Sequence, residues 1–170
     1  MVNLAIPATG ADEDLARAYA VAAAVEDPEI PVLTLADLGV LRGVRLRDDK
    51  IVVSLTPTYT GCPATAAIQL AVEIALLEAG LPQACVETVL SPAWTTDDIT
   101  DEGRTKLTTY GIAPPGKRGP AGLFADETVE CPRCGSHTTT RVSEFGSTPC
   151  KAHWRCDSCL EPFDYFKCHR

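Results

Sequence analysis

Eight cysteines carry most of the chemistry this chain could perform, and six of them lie beyond residue 130. Cys131-Pro-Arg-Cys134 and Cys156-Asp-Ser-Cys159 form two Cys-x-x-Cys knuckles separated by 21 residues. Four thiolates at that spacing can wrap tetrahedrally around Zn²⁺, with bonds of ~2.3 Å. An iron-bearing site or unrelated thiols are the alternatives, and Cys150 or a histidine could replace one ligand. Four thiolates close the coordination sphere, so the metal would be structural rather than hydrolytic. Clustered cysteines at short spacing in a reducing compartment read as metal ligands, not disulfides.

The other cysteine of chemical interest is Cys62, in TPTYTGCPATAA. It falls after an expected strand and just before Pro63, the expected first residue of a helix. Amide N–H groups and the helix dipole there favour a thiolate, which is both a soft ligand and a nucleophile. The plainer alternative is a small residue at a helix start. Asp27-Pro-Glu29-Ile-Pro31, followed by Asp37-Leu-Gly39, sets three carboxylates in a Pro-braced loop. They could ligate a metal, or cap turns and helix ends. Cys85 reads as buried and inert, Trp94 as core, and Asp97 and Asp98 as capping or solvated. Cys150, Cys168, His137, His153 and His169 read as ordinary ribbon side chains, with an additional or alternative metal site as the sharper option. Adjacent strand residues point to opposite faces, which argues against joint ligation by Cys168 and His169.

These groups need elements to position them. Leu15, Ala18, Ala22 and Val25 recur at helical steps behind an acidic start, and Pro28 and Pro31 end that helix. VLRGVRLR alternates as a strand, Asp48-Asp49-Lys50 turns the chain, and IVVSLT returns as a more buried strand. A second helix follows Pro63, with Ala67, Leu70, Ala71, Ile74 and Leu77 as its expected inner face, closed at Gly80-Leu81-Pro82. ACVETVL reads as a third strand, parallel to its neighbour through a right-handed crossover, and a short helix spans roughly 101–110. The expectation is an α/β (α+β) domain over 1–111, a small mixed sheet with elements in the order α-β-β-α-β-α. A Gly/Pro-rich linker over 112–128 and a zinc ribbon over 129–170 complete the chain.

Composition narrows the function classes. Residues 1–111 carry 7 Lys/Arg against 16 Asp/Glu, and residues 112–170 carry 8 against 7. That balance repels phosphate backbones, so nucleic acid is a poor partner. No stretch approaches the ~20 apolar residues a membrane span needs, and no secretory signal opens the chain. A cytoplasmic location is expected. Neither a phosphate loop nor a Ser-His-Asp arrangement is evident.

DPEIPVLTLADLGVLRGV, LTPTYTGCPAT and SPAWTTDD, in that order over roughly residues 10–110, resemble the metal–sulfur cluster biosynthetic domain of SufT-like iron–sulfur assembly proteins. With the ribbon CPRCGS…SEFGSTPCKAHWRCDSCLEPFDYFKCH added, the whole chain is similar to the D-subunit (PaaD) family of ring-1,2-phenylacetyl-CoA epoxidases. The resemblance implies a role in aerobic phenylacetate breakdown, where a di-iron monooxygenase receives electrons from an iron–sulfur reductase. It implies an accessory protein that assists cluster assembly or delivery to that reductase, with Cys62, Asp27, Glu29, Asp37 and Gly39 matching the family's motifs. The implied partners are the epoxidase components, the reductase above all. Separately, the expected position of Cys62 at a helix start suggests a single thiolate completed by a client or by a second copy of this chain, a homodimer. The implied cofactors are structural zinc and a transient iron–sulfur cluster. No Glu-x-x-His helices for a di-iron site occur, so the chain is not expected to perform the epoxidation itself.

Overall fold

A computed structural model describes residues 9–116 and 129–167. Helix α1 (Thr9–Ala23) buries Ala18 and Ala22, with Leu15 and Val25 packed beside them, as the periodicity predicts. The strands β1 (Leu41–Arg47) and β2 (Lys50–Leu55) pair antiparallel across a two-residue turn. Asp48 and Asp49 both adopt positive φ (50° and 60°), as tight hairpin turns matching the strand twist require. Helix α3 (Ala64–Glu78) then crosses over to β3 (Cys85–Thr88), which pairs parallel to β2. A 3₁₀ turn (Thr96–Asp98) and helix α4 (Asp101–Tyr110) follow. The fold class is the mixed α+β arrangement expected.

Three details differ from the expectation. A short helix, α2 (Leu35–Leu38), interrupts the acidic loop, capped at its start by Thr34 and Asp37. Four residues are too few to show a period. Helix α3 buries Ala64, Val72 and Leu76, whereas Leu70, Ile74 and Leu77 are 57%, 47% and 62% exposed. Its sequence is apolar at almost every position, so two faces satisfy the period, and the structure buries the other one. Finally, the expected linker begins as structure. Ile112–Ala113 form β4, which pairs parallel with β7 (Pro162–Phe166). Only residues 117–128 of that segment lie outside the described residues, as do Cys168 and His169.

The ribbon is a four-stranded sheet in the order β4-β7-β6-β5, where β5 is Thr139–Ser143 and β6 is Lys151–Cys156. Ala152, Trp154 and Cys156 alternate on β6 and meet Phe163 and Tyr165 of β7, with Trp154 and Tyr165 edge-to-face at 6.0 Å. This cluster is too small to hold a domain alone, hence the need for a metal staple. The ribbon also completes the first core. Phe166 and Cys150 are buried among the aliphatics of the α/β unit, and the Phe166 ring meets Trp94 edge-on at 6.2 Å.

Candidate functional site

The four knuckle cysteines converge. All four Sγ atoms lie within 4.8 Å of one another, with Cys131 and Cys159 at 3.8 Å and Cys134 and Cys156 at 3.6 Å. Tetrahedral zinc with bonds of ~2.3 Å places its sulfurs ~3.8 Å apart, so the donor set fits the ion. Backbone N–H groups of Arg133 and Cys159 donate to the sulfurs of Cys131 and Cys156, each at 3.4 Å. That donation from Cys159 helps lower the Cys156 thiol to about 6. The Ser136 N–H favours the Cys134 thiolate, yet the neighbouring thiols, Cys159 first, push it up to about 12. The four cysteines would hold a divalent cation, whose charge would resolve this conflict by stabilising all four thiolates together. Gly135 turns the first knuckle at φ +73°, and its N–H bonds to the Cys131 carbonyl at 2.9 Å. Neither His137 nor His153 belongs to this group, and His153 instead sits 3.3 Å from Asp164.

A second constellation lies where the ribbon meets the α/β unit. A small, partly open cavity is lined by Asp27, Glu29, Thr56, Cys62, Cys150 and Phe166, among others. The Pro-braced loop supplies the carboxylates. Asp27 accepts the backbone N–H groups of Glu29 and Ile30, both at 2.8 Å, which folds the loop into a tight turn. Burial still raises the Asp27 carboxyl above its ordinary value. Cys62 occupies the turn before α3, where its N–H bonds to the Tyr59 carbonyl and its carbonyl accepts the Thr65 N–H, each at 3.2 Å. Tyr59 offers its phenol to the Cys62 thiol. Burial first, and then the proximity of Cys62, Cys150 and Glu29, raise that phenol above its ordinary value. Cys150 is 6% exposed, donates to Glu29 Oε2 at 3.3 Å, and lies 3.0 Å from the Thr148 hydroxyl. Its burial pushes the thiol up to about 12.

The cavity therefore gathers Cys62, Asp27 and Glu29, and it does not gather Asp37. That carboxylate closes the capping box of α2, accepting the Thr34 N–H at 2.9 Å, and binds Lys106 Nζ at 2.8 Å. Asp37-Leu-Gly39 is instead clipped to the SPAWTTDD segment. Trp94 donates its indole N–H to the Leu38 carbonyl at 2.8 Å, and the Thr100 N–H reaches the Asp37 carbonyl at 2.9 Å. Gly39, at φ +68°, lies so close to Asp98 that a Cβ would collide with its carbonyl oxygen. Asp98 caps its own 3₁₀ turn through the Thr95 N–H and pairs with Arg42 at 3.0 Å. The sequence reads Cys150 as an ordinary ribbon side chain or as part of an additional or alternative metal site; the structure leaves it outside the knuckle group and buries it in the core of the α/β unit, at the cavity wall.

Residues 16–91 match the family described as "Iron-sulfur cluster assembly protein", and residues 116–167 match the "PaaD zinc beta ribbon domain". A protein of Escherichia coli (strain K12), described as the putative D subunit of 1,2-phenylacetyl-CoA epoxidase, is 48% identical over 161 residues, 95% of this chain and 97% of that one. The chain belongs to the family of phenylacetyl-CoA epoxidase D subunits. The α/β unit of this family member shares its fold with the solved domain of unknown function DUF59 from Bacillus anthracis. That likeness has a TM-score of 0.52 at 24% identity and covers 56% of this chain and 92% of the other. Among the described residues, no helix is long and apolar enough to cross a membrane.

Proposed function

We propose that this chain is an accessory protein of the phenylacetyl-CoA epoxidase system, assisting iron–sulfur cluster assembly or delivery to the reductase component. The observation that carries the reading is the convergence of Cys62, Asp27 and Glu29 on one open cavity, within the segment that matches the cluster-assembly family. A carrier must hold its cargo and then release it. A half-buried thiol at a cavity mouth, completed by a client or a second copy of the chain, meets both needs. Transfer is ligand exchange. A client thiolate bonds to iron as the bond to Cys62 breaks, the client's thiol proton passes to the released thiolate, and iron keeps its oxidation state. The four-cysteine zinc of the ribbon stays in place throughout, because its coordination sphere is closed. The site of action is the cytoplasm, and neither nucleic acid nor a membrane is part of the reading.

The test reconstitutes the reductase from its cluster-free form with wild-type or Cys62→Ala protein, and measures cluster content and electron transfer. Wild type should speed maturation, and Cys62→Ala should not, although it keeps its zinc and fold. Normal maturation with the variant overturns the cysteine's role. The other reading, a non-catalytic structural subunit of the monooxygenase, is favoured by the name of the Escherichia coli relative. A stable stoichiometric complex with the oxygenase, together with no effect on maturation, would establish it.

A further inference from the structure

Helix α3 carries a second apolar face, uncovered among the described residues. Its inner face, with Val72 and Leu76, packs against α1 and β3. On the opposite side Leu70, Ile74 and Leu77 are exposed, and so are Ala66 and Ala67 beside them. A helix that is apolar all round is ordinarily buried all round. Ala67, Leu70, Ile74 and Leu77 are spaced by three, four and three residues, the a and d positions of two successive heptads. That spacing is the seam on which one helix receives another, each knob seated among four residues of the facing helix. Neither Pro nor Gly interrupts it.

The residues beside the seam decide what kind of helix fits. In that register Glu73 takes the g position and Glu78 the e position, one on each flank, and both are exposed. Helix α3 holds no Lys or Arg. Its neighbour α1 adds acid with Asp12, Glu13 and Asp14, and the single Arg17 of that helix is paired with Asp14 at 2.6 Å. A second copy of this chain is therefore a poor occupant of the face. Two parallel copies of α3 would set Glu73 of one against Glu78 of the other. Two antiparallel copies would set Glu73 against Glu73 and Glu78 against Glu78. Like charges oppose the pairing in either direction, whereas Lys or Arg at the e and g positions of a different helix would be attracted. The seam is also short, about 15 Å of helix, which suits a contact that is made and released more than an obligate dimer.

We propose that the outer face of α3 is the docking surface for a basic amphipathic helix of the client, whose apolar side chains pack on Leu70, Ile74 and Leu77 while its Lys or Arg side chains meet Glu73 and Glu78. The proposal rests on the accessory reading above only for which protein supplies that helix. Ala64 and Ile68, on the inner side of the same helix, line the cavity, and Cys62 lies just before its first turn. A client docked along the outside is thereby held next to the thiol without filling the cavity.

The experiment uses the full chain and the cluster-free reductase, with binding followed by titration calorimetry and each variant's fold by zinc content and urea midpoint. Wild type should sediment as a monomer and bind the reductase, more weakly as salt is raised to about 1 M, where charges are screened beyond ~3 Å. Leu70→Gln/Leu77→Gln and Glu73→Lys/Glu78→Lys should each weaken binding at least about tenfold, with zinc and midpoint unchanged. A synthetic helical peptide with Ile at a, Leu at d and Lys at e and g should displace the reductase, and its counterpart with Glu at e and g should not. Unaltered binding by both variants, or no binding by wild type, overturns the docking surface. Whether wild type still speeds reductase maturation then decides the accessory reading separately. A wild-type dimer that Leu70→Gln/Leu77→Gln splits would give the face to a second copy, and a lowered midpoint in that variant would give it to the chain's own residues. Either result overturns the proposal.

Discussion

At the scale of single residues, the family motifs sort into two physical roles. Asp27, Glu29 and Cys62 face the cavity, whereas Asp37, Gly39, Trp94 and Asp98 fasten one loop to another. Gly39→Ala should cost at least about 3 kcal/mol in urea unfolding, since a left-handed φ and a clash with Asp98 backbone coincide there. A loss below about 1 kcal/mol would mean the clip is looser than its geometry. The Asp37 carboxylate adds a pH dependence. Burial opposes its ionisation, but the Lys106 ammonium and Thr34 hold it below its ordinary value of 3.8. The sign follows from that depression: the stabilisation is complete above the ordinary value and is lost as pH falls through the folded one. Asp37→Ala should therefore be about 1–2 kcal/mol less stable than wild type at pH 7, and the gap should narrow below pH ~4. A gap independent of pH would assign the effect to the side chain's bulk.

At the scale of elements, what was legible depended on whether a pattern had one solution. The α1 face, the hairpin, the parallel third strand and α4 each followed from an unambiguous period or turn. Helix α3 did not, because Leu70, Ile74 and Leu77 offer as good a stripe as the buried Val72 and Leu76. Only the packing of α1 and the sheet decides between them. The zinc knuckles were legible from spacing alone, since four thiols at that separation have few other uses. The cavity was not. It needs Cys150 and Glu29, which stand 121 residues apart and meet only after the ribbon docks. The ribbon's dependence on metal is directly testable. Elemental analysis should find one zinc per chain, and Cys156→Ser should abolish it and expose the β5–β7 region to protease. Retention of the full zinc complement by that variant would show that another donor completes the set.

At the scale of the whole molecule, the ribbon is less an appendage than a wall of the α/β unit. Strand β4 follows α4 after a single residue, Gly111, and pairs with the last ribbon strand, so the sheet that carries the knuckles starts from the first unit. Phe166 then inserts into the aliphatic core and meets Trp94, whose indole holds the Asp37-Leu-Gly39 loop. The knuckles, ribbon strands, Phe166, Trp94 and the acidic loop thus form one mechanical series that ends at the cavity. Phe166→Ala breaks the series in the middle. It should lower the unfolding free energy by about 3–5 kcal/mol, as expected for a large aromatic removed from a packed core. Zinc should remain bound, because none of the knuckle cysteines touches the core that Phe166 fills. Alkylation of Cys62 under native conditions should quicken as the cavity wall retreats. A variant with zinc intact, unchanged stability and unchanged Cys62 reactivity would mean that the two units fold as independent neighbours. The cavity would then owe its shape to the α/β unit alone.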